Sequence, residues 1–119
     1  MDESTSILSD IKKQLGIEET TTEFNLDIRT LINSAFFSLY QLGIGGNSPL
    51  VISNQTTWNE FSTVIPKDIV QEYVFLKTKK IFDPPQTSMV LEAYNDRIAE
   101  LEFRMNVEVD NGGGYVNDG

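Results

Sequence analysis

With 119 residues, 39% of them apolar and 23% charged, the chain has the composition of one globular domain and lacks the material for a second core. Lysine and arginine number 9 against 18 aspartates and glutamates, and the resulting net charge of −9 argues against tight nonspecific nucleic-acid binding, which needs a positive field. Histidine and cysteine are absent, which removes the common nucleophile–base pairs, disulfides and thiolate metal sites.

Taken in order, the chain reads as all-α, a small bundle of about four helices with one irregular middle. A first helix is predicted over residues 4–15, with Ile7, Leu8, Ile11 and Leu15 on one face and Gly16 placed to end it. Thr20 and Glu23 have capping-box spacing and are expected to open a second helix over residues 23–42, roughly 30 Å long, stopped by Gly43. Residues 43–57 are rich in turn formers, and Leu50-Val51-Ile52 is a possible short extended segment among them. Thr57 and Glu60 repeat the capping-box spacing and predict a short helix carrying Trp58 and Phe61. Pro66 suits the first position of a third long helix, which cannot pass Asp83-Pro84-Pro85.

A fourth helix is predicted from Thr87 or Ser88 to Asn106. Its apolar residues Leu91, Tyr94, Ile98, Leu101 and Met105 follow a 3-4-3-4 spacing suited to packing along another helix. Val107-Glu108-Val109 alternates like a strand, and the remainder is glycine-rich with little to bury. The expected division is a helical domain over 1–109 and an extended, flexible C-terminal tail over 110–119. No apolar run approaches the roughly 20 residues of a membrane span, and the N-terminal residues contain no secretory apolar core. Asn54-Gln55-Thr56 matches a glycosylation acceptor, which without a secretion signal is read as accidental.

The aromatic residues are distributed unusually. On a wheel of 100° per residue, Phe37 lies about 180° from Ile28, around which Phe24, Leu31, Ile32, Ala35, Leu39 and Leu42 cluster. Phe75 and Phe82 share a second face of the third helix, and Phe103 lies opposite Tyr94, Ile98, Leu101 and Met105. Surplus aromatic faces imply a helix wrapped on all sides or contact with another chain.

Sites for chemistry are sparse. Glu92, Asp96 and Glu100 recur along one helical stripe and could form half a magnesium or carboxylate site, but no second acidic helix faces them and a solvated face is the simpler account. Lys77, Lys79 and Lys80 complement the dipole at the end of the third helix; a contact with an acidic neighbour or a phosphate backbone is the functional alternative. Lys77 falls inside an apolar arc, where it must snorkel outward or pair with a carboxylate, Glu102 being the candidate. Trp58 and Phe61 could stack bases, but no lysine or arginine lies between Arg29 and Lys67, so a lid over the core is expected instead. Gly43-x-Gly45-Gly46 lacks the Lys and Ser/Thr of a phosphate loop.

An ordered set of short stretches resembles the small head–tail connector proteins of long-tailed bacteriophages, also called adaptor or head-completion proteins. These are Gln41-Leu42-Gly43, Trp58-x-x-Phe61, Tyr73-Val74-Phe75-Leu76-Lys77, Phe82-Asp83-Pro84-Pro85, Leu91-Glu92-Ala93 and Leu101-Glu102-x-Arg104-Met105-Asn106, spread over roughly residues 7–109. The resemblance implies a helical virion protein without catalytic residues or cofactor, assembled in the bacterial host cytoplasm at the head–tail interface. Its copies would join a ring, generally twelvefold, beneath the portal after DNA packaging. The ring would extend the DNA channel and seat the tail or the next connector.

On that reading Phe37, Phe75, Phe82 and Phe103 are candidates for contacts between subunits or with the portal, since a heterologous ring needs two different sticky faces. An acidic lining would let DNA pass without adhesion. Val107, Val109 and the tail are candidates for an arm that docks on the portal by adding a strand. The alternatives are a small acidic regulatory module, antitoxin-like or anti-repressor, that binds a basic protein, and a carboxylate enzyme using Glu92, Asp96 and Glu100.

Overall fold

The computed structural model describes residues 4–110. It contains four α-helices: α1 (Ile7–Gln14), α2 (Asn25–Gln41), α3 (Lys67–Phe82) and α4 (Ser88–Asp110), with a 3₁₀ turn at Trp58–Glu60. Helix α3 packs against both α2 and α4, and α1 packs against α2. The all-α bundle expected from the periodicity forms around Ile7, Ile11, Ile32, Phe36, Trp58 and Tyr73, all fully buried.

Helix α1 begins later than predicted because its first residues are used to pin the chain elsewhere. The Ser6 hydroxyl accepts the Ser9 N–H at 3.3 Å and donates to the Asn54 carbonyl at 2.7 Å, while the Ile7 N–H donates to the Thr56 carbonyl at 2.8 Å. Gly16, at φ +80°, ends the helix in the left-handed conformation that glycine adopts without steric cost.

The second helix also starts later, at Asn25, and Phe24 at its cap provides no side-chain hydrogen bond. The capping box read at Thr20 and Glu23 is therefore corrected. A buried lysine explains the change: the Lys12 ammonium donates to the carbonyls of Glu19 at 3.2 Å and Thr21 at 2.7 Å. Those bonds hold the connecting segment against α1. An ammonium withdrawn from water needs such acceptors, and the loop supplies them.

Between α2 and α3 the chain is irregular but anchored. Ile44 and Ile52 are buried, the Ile52 N–H donates to Asn33 Oδ1 at 2.8 Å, and the Ser53 N–H donates to Thr56 Oγ1 at 2.8 Å. Leu50-Val51-Ile52 joins no strand; the ladder contact found among the described residues is an isolated antiparallel bridge between Ser6 and Thr57. The Thr57 N–H donates to Glu60 Oε2 at 3.0 Å, so the second capping-box spacing is used as read. Trp58 and Phe61 are buried against Phe36, with ring centroids 6.2 and 5.0 Å away. The Trp58 Nε1–H donates to Asp10 Oδ2 at 2.9 Å, which satisfies both polar groups away from water.

Pro66 caps α3, and the helix stops at Phe82 before Asp83-Pro84-Pro85. Thr87 Oγ1 accepts the Val90 N–H at 3.2 Å and so caps the start of α4. At its far end α4 continues to Asp110, so the strand read over Val107-Glu108-Val109 is corrected to helix. Val109 follows Leu101 and Met105 at successive i+4 positions and packs half-buried against the core. Three alternating residues cannot outweigh an apolar stripe that the helix continues. The predicted tail after Asp110 lies outside the described residues.

Candidate interaction surfaces

The phenylalanines singled out in the sequence divide into two groups. Phe37 is 47% exposed and Phe103 is 67% exposed, each on the outer side of its helix. Phe75 and Phe82 are half-buried against the core instead, and Phe82 meets Phe24 edge-on at 5.6 Å. Phe37 keeps Tyr40 beside it at 6.0 Å, giving one small aromatic patch near the end of α2. Val107 is exposed and Val109 half-buried, so they occupy different sides of α4.

On α4 the exposed residues Met89, Glu92, Asp96, Ala99, Phe103, Val107 and Asp110 fall within an arc of about 80°. The buried Ile98, Leu101 and Met105 lie opposite. This outer face carries Glu92 and Asp96 in its N-terminal half and Phe103 and Val107 in its C-terminal half, with Met89 and Asp110 at its two ends. Glu100 is drawn aside to Arg97 at 3.0 Å. Among the described residues no group of three acidic side chains is arranged to hold a metal ion. Trp58 and Phe61 are buried, and neither offers a ring face for stacking bases.

Polar contacts fix α3 to α4. Arg97 donates to both carboxylate oxygens of Glu72, at 2.7 and 2.9 Å, and these bonds hold the Glu72 carboxyl below its usual range despite partial desolvation. The Tyr73 hydroxyl donates to Glu102 Oε2 at 2.8 Å; burial pushes its phenol up, and the neighbouring carboxylate adds to that. Glu102, the carboxylate alternative to snorkelling for Lys77, is thus taken by Tyr73. The Lys77 ammonium instead lies 5.6 Å from the centre of the Tyr73 ring.

A family model described as phage connector protein matches residues 7–112, nearly the whole described body. The chain belongs to the phage connector family. No match was found among curated proteins or among solved structures. The connector family is structural rather than enzymatic. No helix among the described residues is long and apolar enough to cross a membrane.

The connector has one further surface that the wheel analysis missed. Along the core side of α3, Val70 and Val74 are fully buried, Lys77 is half-buried, and Ile81 is 62% exposed. Helix α4 fades in the same direction: Ile98 and Leu101 are buried and Leu91 and Tyr94 half-buried, while Met89, 79% exposed, belongs to the outer face. The α3 stripe thus runs out into solvent at the α3–α4 turn, and the α4 stripe thins toward it. The signal was present in Pro84-Pro85, which ends α3 just after Ile81 and leaves that residue at the end of its stripe.

Proposed function

We propose that this connector assembles as a ring beneath the portal once DNA is packaged, extends the DNA channel and seats the tail or the next connector. The observation that carries the reading is the family match over residues 7–112. The surface supports it: a net charge of −9 suits a channel past which DNA slides without sticking. The exposed Phe37, Phe103 and Val107 are proposed as contacts with neighbouring subunits or the portal, with the half-buried Phe75, Phe82 and Val109 at their margins. A ring, generally twelvefold in proteins of this type, needs two different faces on each copy, and the off-core aromatics lie on separate helices.

Electron microscopy of the purified chain mixed with the portal tests this reading. The expected result is added ring density on the portal, and particles lacking the chain should fill with DNA but leak or remain tailless. Absence of the chain from purified virions, together with no portal association under any condition, would refute it.

A further inference from the structure

Helices α2 and α4 each carry a second stripe that faces solvent. On α2, Leu26, Thr30, Asn33, Phe37 and Tyr40 follow a 4-3-4-3 spacing and fall within an arc of about 80°, opposite the buried Ile28, Ala35 and Leu39. Leu26, Phe37 and Tyr40 are exposed, Leu26 by 63%, and the arc contains no charged residue. On α4, Met89, Glu92, Asp96, Ala99 and Phe103 share the outer arc, which contains neither lysine nor arginine. Read from Phe103 back to Met89, this second stripe has the same 4-3-4-3 spacing. From Leu26 to Tyr40 and from Met89 to Phe103 the lengths are also equal, about 21 Å along each axis.

Both helices pack on α3, and each turns its stripe away from its own buried face. The two stripes therefore point out of the bundle, and only another molecule can bring them together. Their chemistry is complementary. The Asn33 Oδ1 accepts the Ile52 N–H at 2.8 Å, so the amide offers its Nδ2 as a donor, as the Tyr40 hydroxyl does. Glu92 and Asp96 supply carboxylate acceptors on α4.

We propose that the outer stripe of α2 in one copy packs antiparallel along the outer stripe of α4 in the next copy. The matched spacing then sets Leu26 against Phe103, Thr30 against Ala99, Asn33 against Asp96, Phe37 against Glu92 and Tyr40 against Met89. The proposal rests on the ring reading and names the faces that meet. Two features select this face of a second copy. The uncharged, donor-bearing α2 stripe fits the acidic α4 stripe in length and spacing, whereas α4 paired in parallel with α4 would oppose carboxylates. Each copy would also have both of its open stripes covered, one by each neighbour. Because the two surfaces differ, the contact is heterologous and propagates rather than stopping at a pair. Leu26 with Phe103 and Tyr40 with Met89 supply apolar burial at the two ends, and Asn33 with Asp96 sets the register between them.

The chain contains no cysteine, so an introduced pair reports a single contact. A variant carrying Thr30→Cys and Ala99→Cys is assembled on portal rings, oxidised and run on a denaturing gel, beside each single variant and a Thr30→Cys, Met89→Cys control. Circular dichroism melts confirm that each variant folds like the wild type. The Thr30–Ala99 pair is expected to give a ladder of disulfide-linked multimers. The single variants and the control, whose cysteines would lie about 15 Å apart along the contact, are expected to give none. Phe103→Ser is expected to raise the concentration needed for rings roughly tenfold without moving the melt. Rings seen by electron microscopy without the ladder, a ladder from the control, or Phe103→Ser that assembles like wild type would overturn this contact while leaving the ring reading intact. Wild type that forms no ring on the portal would overturn both.

Discussion

The two ends of the molecule are built on different principles. At one end α1, α2 and the 43–65 segment close over Trp58, Phe36 and Phe61. The polar groups there find partners inside the chain: Asp10 with Trp58, Lys12 with two carbonyls, and Asn33 with the Ile52 N–H. At the other end the α3–α4 hairpin leaves Ile81 and Met89 to solvent. The closed end carries the stability of the isolated chain, and the open end contributes little to it. A region that costs little to alter in the monomer yet exposes apolar area is where an assembling protein places its contacts.

The sharpest way to break this contrast is to remove Trp58. Trp58→Ala empties the centre of the closed end and leaves the Asp10 carboxylate without its indole donor, so a loss of about 3–5 kcal/mol is expected, enough to threaten a domain of this size. Urea unfolding followed by far-UV circular dichroism measures it. A loss under about 1 kcal/mol would mean that the closed end is not where stability resides.

The glycine loop gives a second, finer test of the same end. Gly45 and Gly46 both have positive φ, +99° and +108°, but only at Gly45 would an added Cβ meet a neighbour, Phe61 Cε1 at 2.5 Å. Gly46→Ala is expected to cost roughly 1–2 kcal/mol from backbone strain alone, and Gly45→Ala about twice that because the Phe61 ring must also move. Equal losses would show that Phe61 is free to yield and that the loop is less firmly anchored than its contacts imply.

The pattern of successes and failures in the sequence reading follows from the range of each interaction. Gly16, Gly43 and Pro84-Pro85 state local steric facts, so the ends of α1, α2 and α3 were legible. Thr20 and Glu23 made the same kind of local statement at the start of α2 and failed. The Lys12 ammonium holds the carbonyls of Glu19 and Thr21, a contact that periodicity does not register. The end of α4 was misread because three alternating residues fit either a strand or an i+4 continuation from Met105 to Val109.

The exposure of Phe37 and Phe103 was visible on the wheel. The partial burial of Phe82 was not, because its cover comes from Phe24, beyond the helix being plotted. Ile81 lies on the core arc of α3 by position, and only the three-dimensional arrangement reveals that most of it stays in solvent.

A smaller effect tests the seam joining the two ends. Glu72 is held below its ordinary carboxylate range mainly by its hydrogen bonds from Arg97. A depressed folded value means that its contribution is fully present above the unfolded carboxylate range and is lost as pH falls through the folded value. Both side chains are more than a third exposed, so solvent screening keeps the effect small. Thermal melts of wild type and Glu72→Gln should differ modestly at neutral pH, with wild type the more stable, and converge at strongly acidic pH. A gap of the same size at both would assign the difference to packing rather than charge.

The smallest expected change in the isolated chain is at the open tip, and its smallness is informative. Ile81→Ser and Met89→Ser replace side chains that are 62% and 79% exposed, so each should move the unfolding free energy by no more than about 0.5 kcal/mol. If these residues served only the monomer, assembly on the portal would be equally indifferent. If they contact a neighbouring copy, the same substitutions should weaken ring formation severalfold while the urea midpoint of the monomer stays fixed. A substitution invisible to unfolding but visible to assembly separates a contact surface from a poorly packed end. Loss of monomer stability well beyond that margin would show that the hairpin end is already part of the core, and the distinction between the two ends would fail.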